Sequence, residues 1–115
     1  MIVDDEHAIV ETLTEVLTWE GFEVVGASNG RAALDLMAAR RPTLVLLDLM
    51  MPVLDGLETL EAMQSDPALA PVPVIMMSAV PQPKLPVRWS AYLRKPFRAQ
   101  ALLAAIQDCL ARSTP

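Results

Sequence analysis

Short apolar runs rich in branched side chains alternate along the chain with longer segments whose apolar residues recur at helical spacing. In the first of the longer segments, Ile9, Leu13 and Val16 repeat every three or four residues, the periodicity of one helix face. Alternation of this kind is typical of βαβ units on a parallel sheet. It predicts an α/β domain with at least four helices and with five strands at Ile2–Val3 and at residues 22–27, 44–47, 74–77 and 91–93.

The run at residues 44–47 is apolar at every position, as expected for a central parallel strand that helices cover on both faces. It stops abruptly at Asp48. The segment between the fourth and fifth strands differs, because Pro81, Pro83 and Pro86 each remove a backbone donor. We expect at most one helical turn there, so the helix between these two strands is predicted to be shortened or irregular.

Acidic residues stand where two of the predicted strands end. Asp4 and Asp5 follow the first strand, and Asp48 follows the third run. In an open parallel sheet, ligands bind at the carboxyl ends of the strands, beside the point where the strand order reverses. Three crowded carboxylates repel one another and raise their own pKa values unless a cation neutralises them. This chemistry favours Mg²⁺, which prefers oxygen ligands and commonly joins carboxylates to a phosphate.

Two further groups follow the neighbouring strands: a hydroxyl at Ser78 after the fourth run and an ammonium at Lys95 after the fifth. A lysine offers a positive counter-charge to a phosphoryl oxygen, and a serine offers a hydrogen-bond donor. Each acidic residue taken alone is as readily a helix cap or a solvated loop residue. The prediction of a functional site therefore depends on the convergence of the whole set.

Four segments of the chain resemble, in order, the signature of the receiver domain of two-component response regulators. They are Val-Asp-Asp-Glu at residues 3–6, Leu-Asp-Leu-Met-Met-Pro at 47–52 with Asp-Gly at 55–56, Met-Ser-Ala at 77–79, and Tyr-Leu-Arg-Lys-Pro-Phe at 92–97. Each segment alone is weakly specific, but their order at successive strand ends makes chance agreement implausible. The resemblance covers nearly the whole chain and implies a flavodoxin-like three-layer sandwich with strand order 2-1-3-4-5.

The resemblance also implies roles for the acidic residues. Asp48 is implied to be the phosphoryl acceptor, and Asp5 and Asp48 are implied to be direct Mg²⁺ ligands. Asp4 is implied to hold a metal-bound water, and Met50 is implied to contribute only its main-chain carbonyl to the metal site.

For the phosphoryl group and the switch, the resemblance implies that Ser78 and Lys95 bind phosphoryl oxygens and that Tyr92 is the aromatic switch residue. It further implies a cis peptide between Lys95 and Pro96. The chain departs from the family in one place, because the hydroxyl residue and the lysine are only 95 − 78 = 17 positions apart, fewer than is usual. The shortening falls before the fifth strand, so the resemblance is weakest for dimerisation and output.

Length and composition fit one receiver domain over residues 1–112 with a polar tail at residues 113–115. With 115 residues, 53% of them hydrophobic, the chain is large enough to bury a core and too short for a second domain. A formal net charge of -5 and a pI near 4.7 leave no basic stripe for direct nucleic-acid binding. The lone Cys109, the absence of a signal-peptide pattern and the short apolar runs predict a cytoplasmic protein without membrane contact.

Together these features predict a Mg²⁺-dependent switch that takes a phosphoryl group from the phosphohistidine of a sensor histidine kinase or a histidine phosphotransfer protein. The domain is expected to be a monomer. It is not expected to be an enzyme in the usual sense, although weak autophosphatase activity fits the same site. The downstream effector protein is not identifiable from the sequence.

Three alternatives compete with this interpretation. The chain is nearly as well explained as a receiver module of a hybrid kinase or of a larger regulator. A degenerate receiver would act as a phosphorylation-independent interaction module. The intact site argues against it, since it keeps Asp4, Asp5, Asp48, Ser78 and Lys95. A phosphatase of the haloacid dehalogenase type also uses an aspartate nucleophile, but its Asp-x-Asp pattern after the first strand is not matched here.

Other residues are expected to be structural. His7 is predicted to lie on the surface of the first helix, and Cys109 is predicted to be a small buried or half-buried hydrophobe. The methionine pairs at residues 50–51 and 76–77 are expected to be packing residues. Trp89 is left open between packing and contact with a partner.

Overall fold

The structure is a computed structural model that describes residues 1–51, 53–84 and 88–113. The strands span Ile2–Val3 (β1), Gly26–Ala27 (β2), Val45–Asp48 (β3), Val74–Ser78 (β4) and Ala91–Arg94 (β5). The helices of the described residues span His7–Trp19 (α1), Gly30–Ala39 (α2), Gly56–Ser65 (α3) and Ala99–Ser113 (α4). All five strands are parallel and lie in the order β2-β1-β3-β4-β5, which confirms the predicted topology.

Local interactions explain where the helices begin and end. Asn29 caps α2 by accepting the N–H of Ala32 at 2.8 Å. A capping box starts α3: Asp55 accepts the N–H of Glu58, and the Glu58 carboxylate accepts the N–H of Asp55. Beyond α1, Gly21 takes a φ of 92°, the left-handed turn that glycine readily allows after a helix.

Helices cover both faces of the sheet and divide the core into two layers. Alternate residues of β3 face opposite layers: Val45 and Leu47 pack with residues of α2 and α3, whereas Leu46 packs with residues of α1 and α4. Full burial of an apolar side chain of this size contributes about 1.5–3 kcal/mol to folding. The result is the predicted flavodoxin-like sandwich of three layers.

The register of the sheet brings the candidate residues to one end of it. Asp4 and Asp48 are adjacent across β1 and β3, each one residue beyond the last pair that joins these strands. Ser78 at the end of β4 pairs with Arg94, the residue before Lys95. Because parallel strands all point the same way, these side chains meet at the carboxyl edge of the sheet.

One detail differs from the expectation. Of the apolar run at residues 22–27, only Gly26–Ala27 forms a strand, because β1 offers just two residues for parallel pairing. Residues 79–84 and 88–90 contain no helix, which agrees with the expectation of at most one turn between β4 and β5; the part of that expectation that concerns Pro86 lies outside the described residues. Helix α4 extends to Ser113, the first residue of the expected polar tail.

Candidate functional site

Three carboxylates meet at the carboxyl edge of the sheet. One oxygen from each of Asp4, Asp5 and Asp48 lies within 4.8 Å of the others. Asp4 and Asp48 are buried, whereas Asp5 is exposed in the turn that leads into α1. Oxygen atoms this close together suit a hard divalent cation such as Mg²⁺. The structure thus brings together the three acidic residues that the sequence pattern singled out.

Asp4 uses both of its carboxylate oxygens within the protein. Oδ1 accepts the N–H of Glu6 at 2.9 Å, which orders the start of α1. Oδ2 accepts a hydrogen bond from Nζ of Lys95 at 2.8 Å. Because both oxygens are engaged, Asp4 is less available for direct contact with a cation than Asp5 or Asp48.

Lys95 brings a positive charge into the acidic cluster. Its Nζ lies 2.8 Å from Asp4, 3.5 Å from Asp48 and 3.9 Å from Glu6, and its side chain is only 15% exposed. Burial alone would lower the pKa of Lys95, but the hydrogen bond to Asp4 and the charge of Asp48 outweigh burial and raise the pKa. The lysine is therefore a permanent cation at this site. The peptide between Lys95 and Pro96 is cis, as the resemblance implies.

Asp48 is the acidic residue with the most strongly perturbed ionisation. Burial and the charge of Asp4 raise its pKa to about 6, against the opposing effects of Lys95 and of the N–H of Met50, which donates to Oδ1 at 3.4 Å. Its other oxygen, Oδ2, makes no hydrogen bond with the described residues. Asp48 therefore has one oxygen free to react and a charge that a cation would stabilise.

A chain of hydrogen bonds runs from the site into the β4–β5 connection. The buried hydroxyl of Ser78 accepts the N–H of Val80 at 3.2 Å. The carbonyl of Val80 in turn accepts a hydrogen bond from the Tyr92 hydroxyl at 2.8 Å. Val80 therefore links the hydroxyl at the site to the aromatic residue on β5. No sequence motif indicated this link, because Val80 contributes only main-chain atoms to it.

Main-chain hydrogen bonds from α3 and β4 hold the residue that follows Asp48. Gly56 donates its N–H to the carbonyl of Leu49 at 3.0 Å, and Leu49 donates to the carbonyl of Met77 at 2.9 Å. A Cβ atom at Gly56 would collide with the Asp48 carbonyl, so only glycine fits this approach. Gly56 stood out in the sequence only as part of the receiver signature, whereas its contact with Asp48 makes it a support of the site.

Comparison with known proteins decides the family. Residues 1–107 match the response regulator receiver domain. The chain belongs to this family. It is similar to the response regulator MprA of Mycolicibacterium vanbaalenii, with 39% identity over 100% of this chain and 51% of the relative. MprA of Mycobacterium avium is 36% identical over 100% of this chain and 52% of the relative. This receiver domain thus spans about half the length of the curated relatives it matches.

Solved structures of receiver proteins share the fold. The signal receiver domain of a signal transduction histidine kinase from Syntrophus aciditrophicus superposes with a TM-score of 0.90 at 26% identity, covering 96% of this chain and 88% of that one. Chemotaxis protein CheY4 of Vibrio cholerae gives a TM-score of 0.89 at 29% identity, with 95% of each chain covered. The strand order and the helical layers are therefore those of receiver domains.

Several residues outside the acidic cluster also have clear positions in this receiver domain. His7 is exposed and pairs with Glu11 at 3.0 Å, and Cys109 is buried, as expected for both. Met50 is 66% exposed, so the expectation that it packs was wrong; it stands at the surface of the β3–α3 connection. Trp89 packs against the core and against the ring of Tyr92. Across the described ranges, no helix has the length and apolar character needed to cross a bilayer.

Proposed function

We propose that this receiver domain is a Mg²⁺-dependent phosphorelay switch whose phosphoryl acceptor is Asp48. The surroundings of Asp48 support this most directly: carboxylate oxygens of Asp4 and Asp5 lie within 4.8 Å, and Nζ of Lys95 lies 3.5 Å away. Such a site combines an ionisable nucleophile, a positive charge that attracts phosphate and oxygen ligands for a cation.

Asp5 and Asp48, together with the main-chain carbonyl of Met50, are the groups proposed to hold Mg²⁺. Asp4 is proposed to bind the metal only through water, and the engagement of both its oxygens by Glu6 and Lys95 supports that indirect role. The donor set fits the ion, since it consists of oxygen atoms and carries negative charge. When bound, Mg²⁺ supplies positive charge that neutralises the carboxylates and the incoming phosphoryl group.

Phosphoryl transfer to Asp48 forms one P–O bond and breaks one P–N bond. A carboxylate oxygen of Asp48 attacks phosphorus in line with the imidazole nitrogen of the donor, and the P–N electron pair leaves with that nitrogen. Lys95 and Ser78 are proposed to bind the transferred phosphoryl oxygens. Later attack by water on the acyl phosphate releases phosphate and restores the carboxylate, so the domain is a timed switch with weak autophosphatase activity and not a conventional enzyme.

Ser78 is also proposed to pass the change onward. A phosphoryl oxygen that recruits the Ser78 hydroxyl competes with the present hydrogen bond from the N–H of Val80 at 3.2 Å. Tyr92 holds the carbonyl of the same residue at 2.8 Å. We therefore propose that phosphorylation moves Val80 and draws the Tyr92 ring inward.

The proposed donor is a sensor histidine kinase or a histidine phosphotransfer protein in the cytoplasm. Residues 1–112 are proposed to form the functional receiver unit, acting as a monomer. The curated relatives are about twice as long as this chain.

Mass spectrometry after incubation with acetyl phosphate and Mg²⁺ tests the acceptor. We expect one phosphoryl adduct in the unmodified chain, none in Asp48→Asn, and an unchanged adduct in Asp35→Asn, a control at an exposed position on α2. EDTA should abolish the adduct. An adduct that persists in Asp48→Asn or in EDTA would contradict the proposal, and failure of the unmodified chain to react would favour the degenerate receiver.

Calorimetric titration with Mg²⁺ tests the ligand set. Asp5→Ala removes a direct ligand and should weaken binding by about 100-fold, whereas Asp4→Ala removes a contact through water and should weaken it by about tenfold. Asp35→Ala is the matched control with no expected change. Equal affinity in the unmodified chain and in Asp5→Ala would show that the metal site is misplaced.

A further inference from the structure

Met50 is an exposed methionine beside the proposed phosphoryl acceptor. Its side chain is 66% exposed and belongs to neither core layer, whereas the adjacent Met51 is 9% exposed and packs into the layer of α2 and α3. The main-chain N–H of Met50 donates to Oδ1 of Asp48 at 3.4 Å, so the exposed side chain starts next to the acceptor carboxylate. Core packing therefore does not account for this methionine.

The other sulfur atoms of the chain are less accessible. All seven methionines lie in the part of the chain that the structure describes. Four of them are no more than 2% exposed: Met37, Met63, Met76 and Met77. Met1 is partly buried against the core, and Cys109 is buried. An oxidant that attacks sulfur from solvent therefore meets Met50 first.

We propose that Met50 is a peroxide-sensitive modification site and that its oxidation slows phosphoryl transfer to Asp48. The oxidant is hydrogen peroxide, one molecule for each thioether. The sulfur attacks one peroxide oxygen, an S–O bond forms and the O–O bond breaks. The departing hydroxide takes the proton of the transferred oxygen and leaves as water. Sulfur is thus oxidised by two electrons to a sulfoxide while peroxide is reduced, and methionine sulfoxide reductases reverse the change.

The sulfoxide changes the charge distribution beside the acidic site. It replaces an apolar tip by a polar group whose oxygen is the negative end of a dipole. Oxygen atoms of Asp4, Asp5 and Asp48 already lie within 4.8 Å of one another there, and the incoming phosphoryl group is itself anionic. The added dipole therefore opposes the approach of the donor. This consequence rests on the proposed function, whereas the oxidation of Met50 does not.

Peptide mapping after brief treatment with hydrogen peroxide tests the site. Cleavage on the amino side of aspartate releases residues 48–54, and fragmentation of this peptide distinguishes Met50 from Met51. In the folded chain, Met50 should gain oxygen at least about tenfold faster than Met51, because Met51 is buried. In urea the two rates should become nearly equal. Equal rates in the folded chain, or a difference that persists in urea, would overturn the proposal.

Phosphorylation with acetyl phosphate and Mg²⁺, followed by intact mass, tests the consequence. Peroxide treatment should slow formation of the adduct by about threefold in the unmodified chain, a small factor because the new dipole is exposed. The slowing should recur in Met51→Leu and be absent from Met50→Leu, which keeps the main chain and lacks the sulfur. Each variant is compared with its own untreated sample, so any effect of the substitution itself cancels. Methionine sulfoxide reductases should restore the rate of the oxidised unmodified chain.

Circular dichroism confirms that the treated chains remain folded. Slowing of equal size in Met50→Leu would overturn the proposal, since damage elsewhere would then account for it. An oxidised chain that reacts as fast as the untreated chain would overturn it as well. If the untreated chain takes no phosphoryl group, the proposed function fails, and the mapping of Met50 against Met51 still decides where peroxide acts.

Discussion

Two connections leave neighbouring strands at the same edge of the sheet, and they are built in opposite ways. The β3–α3 connection leads into a helix with a capping box, and Gly56 at the start of that helix lies against the main chain of Asp48. It even holds Val53, a branched residue, at a φ of 71°, a strained left-handed conformation. The β4–β5 connection contains no helix in its described residues and carries Pro81 and Pro83.

The difference separates chemistry from signalling. Under the proposed function, the connection after β3 holds Asp48 against a cation and a phosphoryl group, so close packing and even local strain are tolerated there. In its described residues, the connection after β4 is linked to the site through the hydrogen bond between Val80 and Ser78, and its length and shape are less constrained. Under the same proposal, the domain can keep its phosphoryl site while it changes the surface that partners meet.

The largest expected effect is the loss of stability caused by a substitution in the β3–α3 connection. Gly56→Ala places a Cβ against the Asp48 carbonyl, which cannot move without disturbing β3, and should lower the free energy of unfolding by about 3 kcal/mol. Urea unfolding followed by circular dichroism measures this loss. Pro83→Ala, in the other connection, is the control and should change stability by less than about 0.5 kcal/mol. Comparable losses in both variants would mean that the two connections are equally constrained.

The sequence predicted the acidic edge well because that edge depends on short-range patterns. Apolar runs that end in Asp48 and Ser78 place their last side chains at the carboxyl edge of any parallel sheet, whatever lies between them. The order of the strands follows from the resemblance. The contact of Gly56 with Asp48 was beyond sequence reasoning, because it depends on how closely two main-chain segments approach in space.

The β4–β5 side was predicted less completely. The prolines correctly indicated that a regular helix is disfavoured, but they said nothing of the main-chain link through Val80. The exposure of Met50 was missed because apolar character suggests burial and the turn after β3 is needed to see that this side chain points outward.

A smaller effect is expected from Asp48, because its ionised carboxylate lowers the stability of the fold. Its pKa is raised from 3.8 to about 6 in the folded chain, so the folded state binds the proton more tightly than the unfolded state. Stability should therefore fall as the pH rises from about 4 to about 6. Asp48→Asn removes this loss of stability. At about pH 8 without metal, its free energy of unfolding should be about 1 kcal/mol higher than that of the unmodified chain, a small value because water screens the charge at this open site.

Urea unfolding in EDTA at the two ends of this pH range measures the difference. At about pH 3.5 the carboxyl group is neutral in the folded state and mostly neutral in the unfolded state, so Asp48→Asn and the unmodified chain should be nearly equal in stability. Addition of Mg²⁺ at about pH 8 should stabilise the unmodified chain and leave the variant nearly unchanged. A variant that is less stable at high pH would show that ionised Asp48 is favourable in the fold.

The smallest expected effect tests whether the two connections are independent. Tyr92→Phe removes one hydrogen bond, from the Tyr92 hydroxyl to the carbonyl of Val80 at 2.8 Å, and should lower the free energy of unfolding by about 0.5 kcal/mol, because water can replace it at an exposed carbonyl. Amide spectra should change around Val80 and remain constant at Leu49 and Gly56. Changes of equal size at Leu49 and Gly56 would mean that the β4–β5 connection also supports the main chain of Asp48, and the separation of chemistry from signalling would then be wrong.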